Sequence, residues 1–335
     1  MRIRLKPLSQ QVMVITGASS GIGLVTARMA AREGAKVVVA ARNAPALHRL
    51  AREIEEQGGQ SLSVPTDVTH DNDVRRLCEA AVRRFGGFDT WVNNAGVSIY
   101  GRIEEVSLED QRQLFETNFW GLVYGSKVAV EHLRHRGGAL INVGSVLSDR
   151  AIPLQGMYSA SKHAVKAFTD ALRMELEHDG IPVSVTLVKP SAINTPYTSH
   201  ARNYMRDEPT NPPPVYAPNL VAKAILHAAQ VPTRDVVVGG GGRAITMAGV
   251  YAPRLIDKVM EWTMFGLQKS NRPGSGSRDA LYHAGEDLHE EGNYGGHVRR
   301  TSTYLAASQH PILTAAMAIG AGLMLAGLVR GSWDE

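Results

Sequence analysis

Short apolar runs alternate, along the first two-thirds of the chain, with longer stretches in which apolar residues return every three or four positions. The runs predict buried strands at Val12–Thr16, Lys36–Ala41, Ser61–Thr66, Thr90–Asn93, Ala139–Val143, Val183–Val188 and Asp235–Val238. Helical periodicity fills the gaps over Leu24–Glu33, Ala44–Gln57, Asp71–Phe85, about Ser107–Arg136, Met157–His178 and Asn219–Ala229. A βαβ series of seven strands implies an α/β fold, a doubly wound parallel sheet with helices on both faces. Such sheets bind ligands beyond the C-terminal ends of their strands.

The pattern then changes. Ile245, Val250, Leu255, Val259, Trp262 and Phe265 recur at helical spacing, which predicts a helical extension over 241–269 near the substrate cleft or a partner subunit. Residues 270–310 are rich in Gly, Ser, Arg, Glu and His and read as a flexible linker. Ile312–Val329 is an uncharged stretch of eighteen residues, about 27 Å long as a helix. Arg299 and Arg300 precede it and Arg330 follows, so a transmembrane helix at 311–330 would leave the rest of the chain in the cytoplasm. Small residues at Ala316/Gly320 and Ala318/Gly322 would let two such helices pack closely.

The 335 residues, 44% of them apolar, suffice for one large domain with additions. A net charge of +4 from scattered basic residues gives no nucleic-acid footprint. One cysteine, Cys78, allows no internal disulfide and suits a reducing compartment. Met1–Pro7 is too polar for a signal sequence. His283, Glu286, His289 and Glu290 suggest a metal site, but His289-Glu-Glu-Gly-Asn293 lacks the second histidine of His-Glu-x-x-His, so no metal is expected.

Two clusters carry chemistry. Gly17-Ala-Ser19-Ser20-Gly21-Ile22-Gly23 joins the first strand to the first helix, the arrangement in which glycines admit a pyrophosphate to free helix N–H groups. The same residues fit a Gly-x-Ser-x-Gly nucleophile elbow, but too little chain precedes them to supply an oxyanion loop. Further on, Tyr158 and Lys162 stand one helical turn apart, where an ammonium can lower the phenol's pKa and ready it for proton transfer. Asn118 lies within a helical stretch, a poor place for an amide that competes for backbone bonds and hence a mark of function. At the end of the second strand stands Arg42, where an acidic residue would bind the ribose of NAD; an arginine pairs instead with the 2′-phosphate of NADP.

With TGASSGIG (16–23), Asp67-Val68, NNAG (93–96), Asn118, Ser145, Tyr158-x-x-x-Lys162 and KPSAINT (189–195) in this order, the chain resembles the short-chain dehydrogenase/reductase family over Leu8–Gly240. The resemblance implies a Rossmann-type dehydrogenase/reductase domain over 1–240, including a substrate loop at 193–218, and oxidoreductase activity on a carbonyl or secondary alcohol. Tyr158 would be the general acid/base. Lys162 would tune it and bind the nicotinamide ribose, Ser145 would hold the substrate oxygen, and Asn118 would anchor a proton-relaying water. Gly17, Ser19, Ser20, Gly21, Ile22, Gly23, Arg42, Asp67, Val68, Asn94, Ala95, Gly96, Pro190 and Thr195 would bind NADP(H), with Tyr158 and Lys162. Two departures stand out: Pro190-Ser191 replaces the family's proline-glycine, and ninety-five residues follow Gly240. Tyr197, Tyr204, Met205 and Tyr216 in the loop suggest a lipophilic substrate, and a homo-oligomer is expected. The alternative is an NAD(P)-binding scaffold or sensor without turnover at the membrane.

Overall fold

A computed structural model describes residues 3–274, 279–285 and 288–309. In chain order its elements begin with β1 (Val12–Thr16), α1 (Gly21–Arg32), β2 (Lys36–Ala41), α2 (Ala44–Glu56), β3 (Ser61–Pro65), α3 (Asp71–Phe85) and β4 (Thr90–Asn93). Then come β5 (Ile99–Tyr100), α4 (Leu108–Phe115), α5 (Gly121–Leu133), β6 (Gly138–Val143), α6 (Gly156–His178) and β7 (Val183–Pro190). Short elements α7 (Tyr197–His200), β8 (Arg202–Asn203), β9 (Asp207–Pro209) and β10 (Val215–Tyr216) lead to α8 (Pro218–Ala228) and β11 (Asp235–Val238). The extension holds α9 (Gly240–Tyr251), α10 (Pro253–Leu267), β12 (Lys269–Pro273), β13 (Val298–Arg299) and α11 (Thr303–Gln309).

The seven expected strands form one parallel sheet in the order β3-β2-β1-β4-β6-β7-β11. The strand order reverses between β1 and β4, which opens the crevice in which doubly wound sheets hold ligands. Every residue of β1, β4, β6 and β7 is buried, as their unbroken apolar runs require of central parallel strands. Two apolar cores result, one on each face of the sheet, around Ile15, Leu24 and Ile225 and around Leu77, Trp91 and Leu140.

Two regions differ from the expectation. The helical stretch from Ser107 is interrupted at Glu116–Trp120 by a π-helical turn, a widened ring that turns Asn118 inward. Residues 270–310, read as a linker, are tied to the domain at separate points in the described part, although many of their side chains are exposed. Strand β12 pairs with β9 and β13 with β10, and Leu281 is wholly buried against Val97, Ile99, Val106 and Leu114. Composition misled here because the segment is held by a few anchors rather than by a repeating apolar face. The apolar stretch Ile312–Val329 lies outside the described residues; among those, no helix is long and apolar enough to cross a membrane.

Candidate active site

The glycine turn after β1 is shaped for close approach. Gly17 and Gly21 have φ of +64° and +51°, and a Cβ on Gly23 would lie 2.2 Å from the Gly17 carbonyl oxygen. The Asn94 amide donates to the carbonyls of Thr16 and Gly17, tying this turn to the end of β4. Gly17, Ser19, Ser20, Gly21, Ile22, Arg42, Asp67, Val68, Asn94, Ala95, Gly96 and Thr195 all line one cavity of ≈ 190 Å³. Glycines where a Cβ would collide, facing the N-terminus of α1, fit a dinucleotide pyrophosphate. Asp67 accepts from the backbone N–H and hydroxyl of Thr69, so it shapes its own turn as well as the wall.

The neighbouring cavity, of ≈ 210 Å³, shares Ile22, Asn94, Gly96, Thr195 and Tyr197 with the first and also includes Pro190. Ser145, Tyr158 and Lys162 meet in it. Ser145 caps the short helical turn Val146–Ser148, accepting from Leu147 N–H at 3.1 Å, and its hydroxyl reaches the Tyr158 oxygen. Lys162 donates to the Val143 carbonyl at 2.9 Å, and its Nζ stands 5.7 Å from the centre of the Tyr158 ring. Asn118 is pinned on three sides. Its Oδ1 accepts from Val97 N–H, and its Nδ2 donates to the Val97 carbonyl and to Ser161 Oγ. A side chain at Gly96 would fill the gap between Asn118 and Lys162.

The electrostatics correct one expectation. The spacing of Tyr158 and Lys162 predicts a depressed phenol, yet burial pushes Tyr158 up to about 12, against the lowering effect of the Ser145 hydroxyl. Burial also pushes Lys162 down to about 8, weakening the cation that was to stabilise the phenolate.

Ile245 belongs to the apolar spacing that predicted a helical extension near the cleft, but Leu147, Ile152, Gln155, Met260, Met264 and Gln268 were not singled out in the sequence. The outer cavity wall is apolar and comes from the extension: Ile245 on α9, and Met260 and Met264 one turn apart on α10, face Leu147 and Ile152. Gln155 and Gln268, both buried, join Tyr197 in a hydrogen-bonded chain beside Tyr158. Three residues ahead of Tyr158, Gln155 was open to notice; Gln268, separated from it by more than a hundred residues, was not.

The extension also crosses the glycine turn. Gly21 N–H donates to the His289 carbonyl at 2.9 Å, and Leu288 N–H donates to the Ser19 carbonyl at 2.7 Å. Arg42 donates to the carbonyls of Ala280 and Leu281, and Asn43 to that of Gly285.

A doubly wound sheet with this cradle and this polar cluster defines a dinucleotide-binding oxidoreductase. The family model "short chain dehydrogenase" matches residues 11–205, and the chain belongs to that family. It is 48% identical over 323 residues to the uncharacterized oxidoreductase YxnA of Bacillus subtilis, a match covering 95% of this chain and 91% of the relative, and so running into the extension. The 11-beta-hydroxysteroid dehydrogenase A of Arachis hypogaea is 33% identical over 283 residues, 81% of this chain and 79% of the relative. Among solved structures, a short chain dehydrogenase/reductase from Burkholderia phymatum in complex with NAD matches with a TM-score of 0.68 at 26% identity, covering 75% of this chain and 96% of the other. An alcohol dehydrogenase from Thermococcus sibiricus complexed with 5-hydroxy-NADP matches with a TM-score of 0.61 at 28% identity, covering 68% and 95%. The protein is an NAD(P)-dependent oxidoreductase of this family.

Proposed function

We propose that the chain transfers hydride between NADP(H) and a lipophilic ketone or secondary alcohol. The observation that carries this reading is the meeting of Ser145, Tyr158 and Lys162 in an apolar cavity that opens onto the glycine cradle. A nicotinamide bound there supplies or accepts the hydride. The Ser145 hydroxyl orients the substrate oxygen, and Tyr158 gives it a proton in reduction or takes one in oxidation. Lys162, held by the Val143 carbonyl, supports the phenol and is placed to bind ribose hydroxyls. Asn118, in its π turn, fixes Val97 beside the site and is the candidate anchor for a relay water. With all four groups assembled, catalysis is the better reading than a scaffold.

Lipophilic specificity rests on the wall of Leu147, Ile152, Ile245, Met260 and Met264, and the name of the peanut relative points the same way. Preference for NADP(H) rests on Arg42, whose guanidinium now holds two backbone carbonyls that a 2′-phosphate would replace with a charge-assisted pair. Membrane association would come from 312–329, and α10 leaves Leu255 and Trp262 exposed, the latter at 93%, as a face for a lipid surface or a second copy of the chain.

The test is a panel of apolar ketones with NADPH and with NADH, followed by absorbance. Tyr158→Phe should lower turnover by roughly 10²–10⁴-fold, and Arg42→Ala should erase the NADPH preference. Turnover surviving in the Tyr158 variant would sink the mechanism. Sedimentation with vesicles, full length against a chain ending at Arg300, separates anchoring from self-association.

A further inference from the structure

The direction of the hydrogen bonds around Tyr197 can be read from the far end of the chain that holds it. Gln268, at the end of α10 and wholly buried, donates through Nε2 to two backbone carbonyls, Pro153 at 2.9 Å and Met264 at 3.1 Å. Carbonyls only accept, so the amide cannot be turned round, and Gln268 Oε1 faces Gln155. Gln155 Nε2 donates to that oxygen at 2.7 Å. The Gln155 amide is fixed in turn, and its Oε1 faces the Tyr197 hydroxyl at 2.8 Å. An amide oxygen can only accept, so the one proton of Tyr197 goes there. The Ser98 hydroxyl, 2.7 Å away and buried, must then donate to the Tyr197 oxygen. What Tyr197 has left for Tyr158, whose ring it meets edge-on at 5.5 Å, is a lone pair.

We propose that the amide chain Gln268–Gln155–Tyr197 makes Tyr197 an acceptor, never a donor, towards Tyr158, so that the extension holds the Tyr158 proton in place. Gln268 and Gln155 are positioning residues: neither supplies a proton, and both decide where the Tyr197 proton points. The inference rests on the reading of Tyr158 as the acid/base. The other titratable or charged groups around Tyr158 are Lys162 on α6, Tyr100 on β5, Tyr204 after β8, and Arg150 on the cavity wall; among the described residues, no carboxylate lines that cavity.

Breaking the chain at either amide frees the Tyr197 proton to turn towards the Tyr158 phenolate and stabilise it. Gln268→Leu lets the Gln155 amide rotate and offer Nε2 to Tyr197, and Gln155→Leu removes the acceptor outright. The full-length protein, labelled with ¹³Cζ-tyrosine, reports this without any substrate. The Tyr158 resonance is assigned by its loss in Tyr158→Phe and followed upward from about pH 9 until its midpoint, near 12 in the parent protein, is passed. Each leucine variant should lower the Tyr158 midpoint by about one unit. In a Tyr197→Phe background, which has no proton to redirect, neither should move it. An unmoved or raised midpoint in both variants overturns the inference, and so does an equal drop in the Tyr197→Phe background. The titration needs no turnover, so it can fail while Tyr158→Phe still abolishes activity; an active Tyr158→Phe would instead strike at the functional reading itself.

Discussion

The sheet domain and the extension are built on different terms, although both contribute to one site. In the domain, β1, β4, β6 and β7 bury every residue, and helices cover both faces with apolar stripes. Between 270 and 302 the described chain has two short strands and no helix, and holds on at points: Leu281 in its apolar pocket, Arg202 bridging Asp110 and Asp279, Tyr282 donating to Asp110, and the backbone pairs at Ser19 and Gly21. A periodic surface is redundant, since each residue repeats the message of its neighbours. A point-anchored strap is not, and losing a buried anchor such as Leu281 should matter as much as losing a core residue.

Leucine truncation puts this to the test with the largest expected effect. Leu140→Ala in the middle of β6 should cost about 2–5 kcal/mol, the usual range for a fully buried leucine. Leu281→Ala should fall in the same range by urea denaturation if the strap belongs to the cooperative unit. A normal unfolding midpoint with weakened cofactor binding would show instead that the strap detaches alone.

Lys162 marks the opposite trade, stability given up inside the domain for function. Its pKa drops from 10.5 to about 8, so the unfolded chain binds more protons than the folded one between those values. Stability therefore rises with pH across that window, and below about pH 8 the buried ammonium is a liability of about 3 kcal/mol. Lys162→Met should raise the melting temperature at pH 7, flatten the pH dependence between about pH 8 and pH 10 and lower turnover sharply. Thermal melts across pH read the first two, and a destabilised variant at pH 7 would mean that the lysine is better solvated than its burial implies.

The same contrast explains what could be read in the sequence. Apolar runs and helical stripes place all seven strands, because burial on both faces leaves a periodic trace. Tyr158 and Lys162 were legible as a pair because they lie one turn apart on a helix, and Ser145 only through the order of motifs that the chain shares with the family. Met260, Met264 and Gln268 were not, because their partners lie a hundred residues away and no local pattern records the pairing. The π turn at Asn118 differs from an ordinary helix by a single extra residue in one ring, too small a change for apolar spacing to register. The strap was misread for the same reason: Leu281 is one apolar residue among polar ones, and its burial depends on a pocket formed by Val97, Ile99, Val106 and Leu114.

The smallest expected effect asks which kind of anchor holds the strap over the glycine turn. Glu290 reaches Arg28 on α1 at 2.7 Å, but its side chain is 41% exposed and Arg28 keeps a second partner in Glu53. A half-exposed pair whose cation stays paired when it is lost should be worth a few tenths of a kcal/mol. Glu290→Gln should therefore shift the melting temperature by about a degree or less and leave the salt dependence of cofactor binding almost unchanged. The backbone bonds at Ser19 and Gly21, which no side-chain change removes, would then carry the contact. A loss of several degrees, or an NADPH affinity that becomes steeply salt-dependent, would mean that charge holds the strap down. The incoming phosphates of the cofactor, which bring charge of their own to the same turn, would then compete with Glu290 for Arg28.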